Sequence, residues 1–390
     1  MYRRFLLDIA VDNMKKRARE ETLPIPKIYS QEVVRSRVAS PGLATGHVFP
    51  TLPNVDASLY RRRALNYPKL PTTTDEIAVT GLWRQSKEGG ELLLVDEKYG
   101  TFRVRPLLFE QLYIIFGFQN GSMIPCAYSL TTRKNSIVYT KILRHLIEYG
   151  KKLNVEMNPQ RLTCDFEQAT INSFIDIFPH IKINGCFFHY AQSLWRKIQE
   201  VGMMRHFEKT NDTNNIIPQS ERKNADHWFL AAVGLALVPP TIIEGIWAEI
   251  MDLYTPDHAG ATEFSDYLVQ TYVDSDISLF NAQTWNVNDA IQNNLPRTNN
   301  HVEGYNKRLE SNFPVHPHIY EFVRLLRDEH SFQHHQAEAS EIRAPKRKKL
   351  YIDIDNKLKE LLHGFATGIL NEAELVIKCG RAVKTTQIKK

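Results

Sequence analysis

The sequence predicts a mixed α/β fold: a five-stranded sheet with flanking helices, interrupted by an all-helical insertion. Three observations predict it. Between about 90 and 200, apolar strand-like runs and amphipathic stretches alternate as β–β–β–α–β–α–β–α. From 202 to about 284 the pattern is helical throughout, with Pro239 and Pro240 between helices. The chain has 390 residues, 43% hydrophobic, 10% aromatic and 24% charged, enough for more than one domain and a real core, which rules out disorder as its main state.

Each element has its own signal. A helical stretch runs to Glu21 and TLPIP (22–26) breaks it. The proline density that follows, in SPG (40–42), FPTLP (49–53) and YPKLP (67–71), predicts loops and short helices. ELLLV (91–95), LFEQLYIIFGF (108–118) and SMIPCAYSL (122–130) read as strands, the last two a hairpin across QNGS. In 136–150, Val138, Ile142, Leu146 and Tyr149 share a helical face, with Gly150 as its cap. RLTCDFE (161–167) is a strand with acids at its exit, 167–179 a helix ended by Pro179, IKINGCFF (181–188) the fifth strand and 189–201 a helix. This order is compatible with a ribonuclease H-like fold. Trp228–Val238 is apolar but too short to span a bilayer and reads as a buried helix. A helix over 297–313 and a polar helix from about 319 to 340 follow, then a short helical tail. The predicted segments are therefore a lead-in at 1–85, the first part of the core at 86–200, the insertion at 201–284, the core's completion at 285–340 and a basic tail at 341–390.

Net charge is +5. Residues 343–349 hold five basic and no acidic residues, 376–390 another five and none, so the rest of the chain is slightly acidic. A grip on DNA is expected from those segments or from local patches such as Arg61–Arg63, where a solvated basic helix end is an equal explanation. PKRKKL (345–350) resembles a nuclear localisation signal, so a nuclear protein is expected. The N-terminal apolar patch is broken by Asp8 and Asp12, so neither signal peptide nor membrane contact is expected. Cysteines 126, 164, 186 and 379 form no CxxC pair, which suits a reducing compartment.

Chemistry concentrates in a few places. Asp165 ends an apolar strand and Glu303 lies on a later helix; if the helix packs on the sheet the two acids can meet. Converging carboxylates suit Mg²⁺ or Mn²⁺, and a pair of such ions would activate a nucleophilic oxygen and stabilise the leaving one in phosphoryl transfer. Spacing alone equally fits a solvated strand-end Asp and an ordinary helix Glu. Cys186 and His189 form C-x-x-H: half of a zinc site, a nucleophile pair, or a buried cysteine beside a capping histidine. Asn299, Asn300 and Asn306 suit phosphates or bases as well as they suit helix caps. His330 and His334 have metal-compatible spacing on a helix whose polarity fits a solvated face.

GTFRVRPLLFEQLYIIFG (100–117), CDFEQATINSF (164–174), FPHIKINGCFFHYAQSLWRKI (178–198), LALVPP (235–240), TWNV (284–287), RTNNHVEGYNKRL (297–309) and HPHI (316–319) occur in that order. Together they resemble the transposase of Mutator-like elements, the MULE transposase domain, over roughly 90 to 330. The resemblance implies a ribonuclease H-like DDE core with a helical insertion before its Glu, and metal-dependent DNA cleavage and strand transfer. It implies Asp165 and Glu303 as the second and third catalytic carboxylates and metal ligands, and Arg297, Asn299, Asn300, Asn306, Lys307 and Arg308 as DNA contacts. It places Cys186, His189 and Trp285 in motifs near the active site. DNA is the implied partner, and the family reading admits a homo-oligomer.

Two departures matter. The family's first catalytic Asp stands in DGTF; here that position is Tyr99, in KYGTF. Asp96 is the nearest candidate, but side chains three apart on a strand face opposite ways. LLLVDEK joins YGTF directly, as if an internal piece with the first Asp were missing, which predicts impaired or absent catalysis. No Cys precedes Cys126 and His47 is the one His before it, so the family's frequent FLYWCH-type zinc finger is not expected. The alternative function is a non-catalytic DNA-binding or interaction protein; a Cys186/His189 hydrolase is a third.

Overall fold

The computed structural model describes residues 2–21, 23–39, 49–66, 71–77, 79–87, 106, 108–119, 121–208, 217–298, 300–315, 317–342 and 347–387. They form two compact units: Met1–Ile115 with Ala127–Arg133 and Leu309–Gln336, and Phe116–Cys126 with Lys134–Arg308 and Ala337–Lys390.

The first unit begins with three helices, α1 (Tyr2–Glu20), α2 (Ile25–Ala39) and α3 (Leu52–Ala64). Here the proline-based expectation of loops and short helices is corrected. Pro26 and Pro53 stand in the first turns of α2 and α3, where the missing N–H has no intrahelical partner anyway, so they start helices rather than break them. Met14 and Ala18 of α1, Ile25 and Ile28 of α2, and Val55 and Leu59 of α3 form one hydrophobic cluster. Buried Glu32 is held by Arg17 at 2.8 Å and Arg35 at 3.1 Å. A second cluster joins Ile77, Val79 and Phe109 to Ile319, Tyr320 and Val323.

Two strands, β1 (Gln111–Gln119) and β2 (Ser122–Thr131), pair directly. Gly121, at φ +79°, supplies the left-handed residue the tight connection requires.

In the second unit, α4 (Ser136–Lys152) is capped by Asn135, whose side chain accepts from the Val138 N–H at 3.0 Å. Gly150 does not end this helix as expected. The chain folds back over it, Val155 N donating to Gly150 O at 2.8 Å, and a Cβ there would lie 2.9 Å from Val155 O. The buried stripe centres on Tyr139 and Leu143 rather than on Val138 and Ile142, because Tyr139 can bury its ring and still satisfy its hydroxyl. Strands β3 (Arg161–Cys164) and β4 (Lys182–Gly185) pair in parallel through the crossover helix α5 (Gln168–Ile177). Register partners Arg161 and Lys182 both reach Asp289, at 3.0 and 2.8 Å, which offsets their repulsion and, through Lys182 first, holds the Asp289 carboxyl below its ordinary range. Helix α6 (Phe187–Glu200) follows, burying Phe187, Tyr190, Ala191, Leu194 and Ile198 at helical spacing.

The mixed α/β class holds. A single five-stranded sheet is not seen among the described residues, whose strands form two separate pairs; the expected strand 91–95 lies outside them.

Between 217 and 285 the only regular structure among the described residues is helical, as expected: α7 (Gln219–Gly234), α8 (Ile243–Tyr254), α9 (Ala259–Leu268), continued by a π-helical stretch Val269–Val273, and the short α10 (Ala282–Trp285). The run Trp228–Val238 is wholly buried. Then come α11 (Asn288–Gln292), α12 (Asn300–Asn312), α13 (Ile319–Ile342), α14 (Lys349–Ala366) and α15 (Glu372–Gln387). The expected basic tail is largely core: α15 buries Leu375, Val376, Cys379 and Val383. It crosses α7 so closely that a Cβ on Gly380 would lie 1.9 Å from the Leu230 carbonyl oxygen, and one on Gly234 2.0 Å from that of Val376. No helix among the described residues is long and apolar enough to cross a membrane.

Candidate functional site

The C-terminal ends of parallel strands, where crossover helices begin, are the usual place for a site in an α/β sheet. Here that edge is made by Cys164 and Gly185, register partners, with Cys186 N donating to Cys164 O at 2.8 Å. Asp165 is the next residue along and its side chain is exposed. Its Oδ1 accepts one long contact, 3.4 Å, from the Glu167 N–H, which leaves the carboxylate open to a ligand.

Glu167, the other acid at the strand exit, is committed elsewhere. Its Oε1 accepts from the Tyr139 hydroxyl at 2.9 Å and its Oε2 from the Thr170 hydroxyl at 3.0 Å. Residue type could not separate these two acids; their partners do.

The chain segment before Glu303 meets this edge. Phe187 N, the first helical residue of α6, donates to Arg297 O at 3.0 Å. Helix α12 starts three residues after Arg297, with half-buried Glu303 in its first turn. Tyr305 on the same helix is buried and meets Phe116 of β1 edge-on at 5.3 Å. One backbone bond thus ties the Glu-bearing helix to the strand end next to Asp165.

Arg297 itself is not an exposed DNA contact. Its side chain is 10% exposed and paired with Asp355 of α14, which also takes Arg347 at 2.8 Å. Burial pulls the guanidinium pKa down, and Asp355 opposes this. Asn306 and Lys307 are exposed and Arg308 half-buried, along α12. Asn300 opens α12, while Asn299, Asp96 and Tyr99 lie outside the described residues.

Cys186 is fully buried at the N-cap position of α6, and His189 is half-buried with no hydrogen-bond partner at Nδ1. A nucleophile needs access to substrate, so this geometry speaks against a Cys/His hydrolase. Burial, then Asp165, pushes the neighbouring Cys164 thiol up to about 12, so it is no thiolate either.

Trp285 is a fully buried clamp. Its indole N–H donates to Tyr272 O at 2.9 Å and its ring stacks on Tyr190, 5.0 Å away and 13° from parallel. The next residues close the turn after α7. Asn286 donates to the carbonyls of Leu235 and Val238 at 3.0 and 2.8 Å, Val287 N to Ala236 O at 2.7 Å, and Asn288 to Leu237 O at 2.9 Å. TWNV and LALVPP are thus two halves of one joint, a pairing that their distance in sequence hides. Gly185 lies under it, since a Cβ there would meet the Phe166 ring at 2.6 Å and Thr284 O at 3.2 Å.

The described residues contain no group of three or more His, Cys, Asp or Glu side chains placed to hold a metal ion. Two carboxylates and water are enough to hold a single hard cation, but not to build the two-ion arrangement that phosphoryl transfer by this route requires.

No curated protein and no solved structure matches the chain. Residues 92–193, a stretch that holds the four described strands, Asp165 and the Cys186–His189 pair, match the family model of the MULE transposase domain.

Proposed function

We propose that this chain is a transposase-derived, nuclear DNA-binding protein. It keeps two carboxylates, Asp165 and Glu303, of a ribonuclease H-like DDE site, without a first carboxylate at Tyr99. The observation that supports this reading is the Phe187–Arg297 backbone bond, made three residues before the Glu303 helix begins and beside the strand edge where Asp165 is exposed. Asp165 and Glu303 would hold Mg²⁺ or Mn²⁺, which supplies Lewis-acid stabilisation of phosphate oxygens when bound. The residues on this edge would then orient a phosphodiester. With two carboxylates in place of three, no cleavage step follows from the geometry, and DNA binding outlives catalysis.

The test is Mg²⁺-dependent nicking of a DNA duplex by the wild type and by Glu303→Gln. The expected result is at most trace nicking, alike in both. Robust wild-type nicking that Glu303→Gln abolishes would restore the active DDE transposase as the better reading, with Asp96 as the first acid to test.

A further inference from the structure

The charge of this chain is not where its segment counts first suggest. Residues 1–66 hold twelve Lys and Arg against six Asp and Glu, a surplus of six where the whole chain has a surplus of five. They include helices α1–α3, which share one hydrophobic cluster.

The last turns of α1 and α3 meet. Asn66 Nδ2 donates to Arg19 O at 2.6 Å, and Arg19 Nε donates back to Asn66 Oδ1 at 3.3 Å. Arg63 donates to the carbonyls of Ala18, Glu21 and Leu23, at 3.3, 3.3 and 2.5 Å. Arg63 therefore satisfies the open carbonyls at the end of α1. Capping does not explain the arginines beside it. Arg61 and Arg62 are exposed, as are Arg19 and, one turn before it on the same face of α1, Lys16. Tyr60, 53% exposed, stands next to them. Of the nearby acids, Glu21 is committed to Arg17 at 2.7 Å, and Glu20 is exposed.

We propose that this end of the three-helix segment, with Lys16, Arg19, Arg61 and Arg62, is a DNA-binding surface that grips the phosphate backbone of a duplex without sequence preference. Clustered exposed cations around an aromatic, on a rigid base that Arg63 locks, match a polyphosphate in charge. The proposal rests on the DNA-binding reading above, uses residues of the first unit alone, and holds whether or not the carboxylate edge cuts DNA.

The test uses the full chain and a short fluorescein-labelled duplex of arbitrary sequence, with anisotropy read across a salt series. Each phosphate contact contributes about 0.9 to the slope of log affinity against log salt. The triple variant Arg19→Gln/Arg61→Gln/Arg62→Gln is expected to lower that slope by about 2 to 3 and weaken binding about tenfold or more. If the triple variant melts early, Arg61→Gln alone, exposed and outside the cap, is expected to lower the slope by about 1. An unchanged slope and affinity overturns the proposal. So does a loss of affinity for polyaspartate without one for the duplex, which would make this a docking face for acidic protein. Glu303→Gln is expected to bind like wild type, so failure of the nicking account and failure of this one are separable.

Discussion

Two acids leave β3 within three residues, and their neighbours decide what each does. Tyr139 and Thr170 hold Glu167, while Asp165 keeps an exposed carboxylate with one long contact. A strand-end acid is legible in the sequence; its freedom is not, because the hydroxyl that competes for Glu167 comes from a helix 28 residues earlier. At His318 the same scale gives a pH prediction. Its Nδ1 accepts from the Glu321 N–H at 3.1 Å, which requires that nitrogen to be unprotonated, and the Glu321 carboxylate at 3.9 Å is too distant to reverse the effect of burial. Burial, then Arg63, lowers its pKa from 6.5 to about 4. The unfolded chain therefore takes up this proton before the folded one does. Stability is expected to fall as pH drops from 6.5 towards about 4, and to fall less in His318→Gln. Urea midpoints at neutral pH and near pH 5 check this; equal losses in both proteins would refute it.

At the scale of elements, the largely buried Arg297–Asp355 pair matters most, because Arg297 holds α6 by its carbonyl and α14 by its guanidinium. Removing one partner of a buried pair strands the other charge. Asp355→Ala is expected to cost about 3 kcal/mol of stability, while the double change Arg297→Met/Asp355→Leu costs much less. Equal losses in a denaturant titration would show that packing, not the pair, holds α14. Elements with strong periodicity, such as α6, and the apolar run of α7 were legible from spacing alone. Helices α2 and α3 were not, because a proline reads as a breaker until its place in the first turn is known. The burial of α15 was equally hidden: its lysines and arginine suggest a solvated tail, while small residues such as Gly380 let it lie against α7.

Across the whole molecule, the match to the MULE transposase domain covers residues 92–193, and Glu303 lies beyond it. The ordered motifs made the resemblance legible, and the resemblance pointed to both acids. The bond that joins the segment before Glu303 to the strand exit was not legible, since it lies between residues 110 positions apart. Charge followed a similar course: the basic C-terminal segment is partly core, and the N-terminal helices carry an exposed surplus. The central claim is that one strand edge gathers Asp165 and Glu303, and a Mn²⁺ titration followed by electron paramagnetic resonance tests it most directly. One weak Mn²⁺ site is expected in the wild type, removed by both Asp165→Asn and Glu303→Gln with thermal stability retained. A wild-type protein without that site, or variants that bind Mn²⁺ as tightly as the wild type, would contradict it.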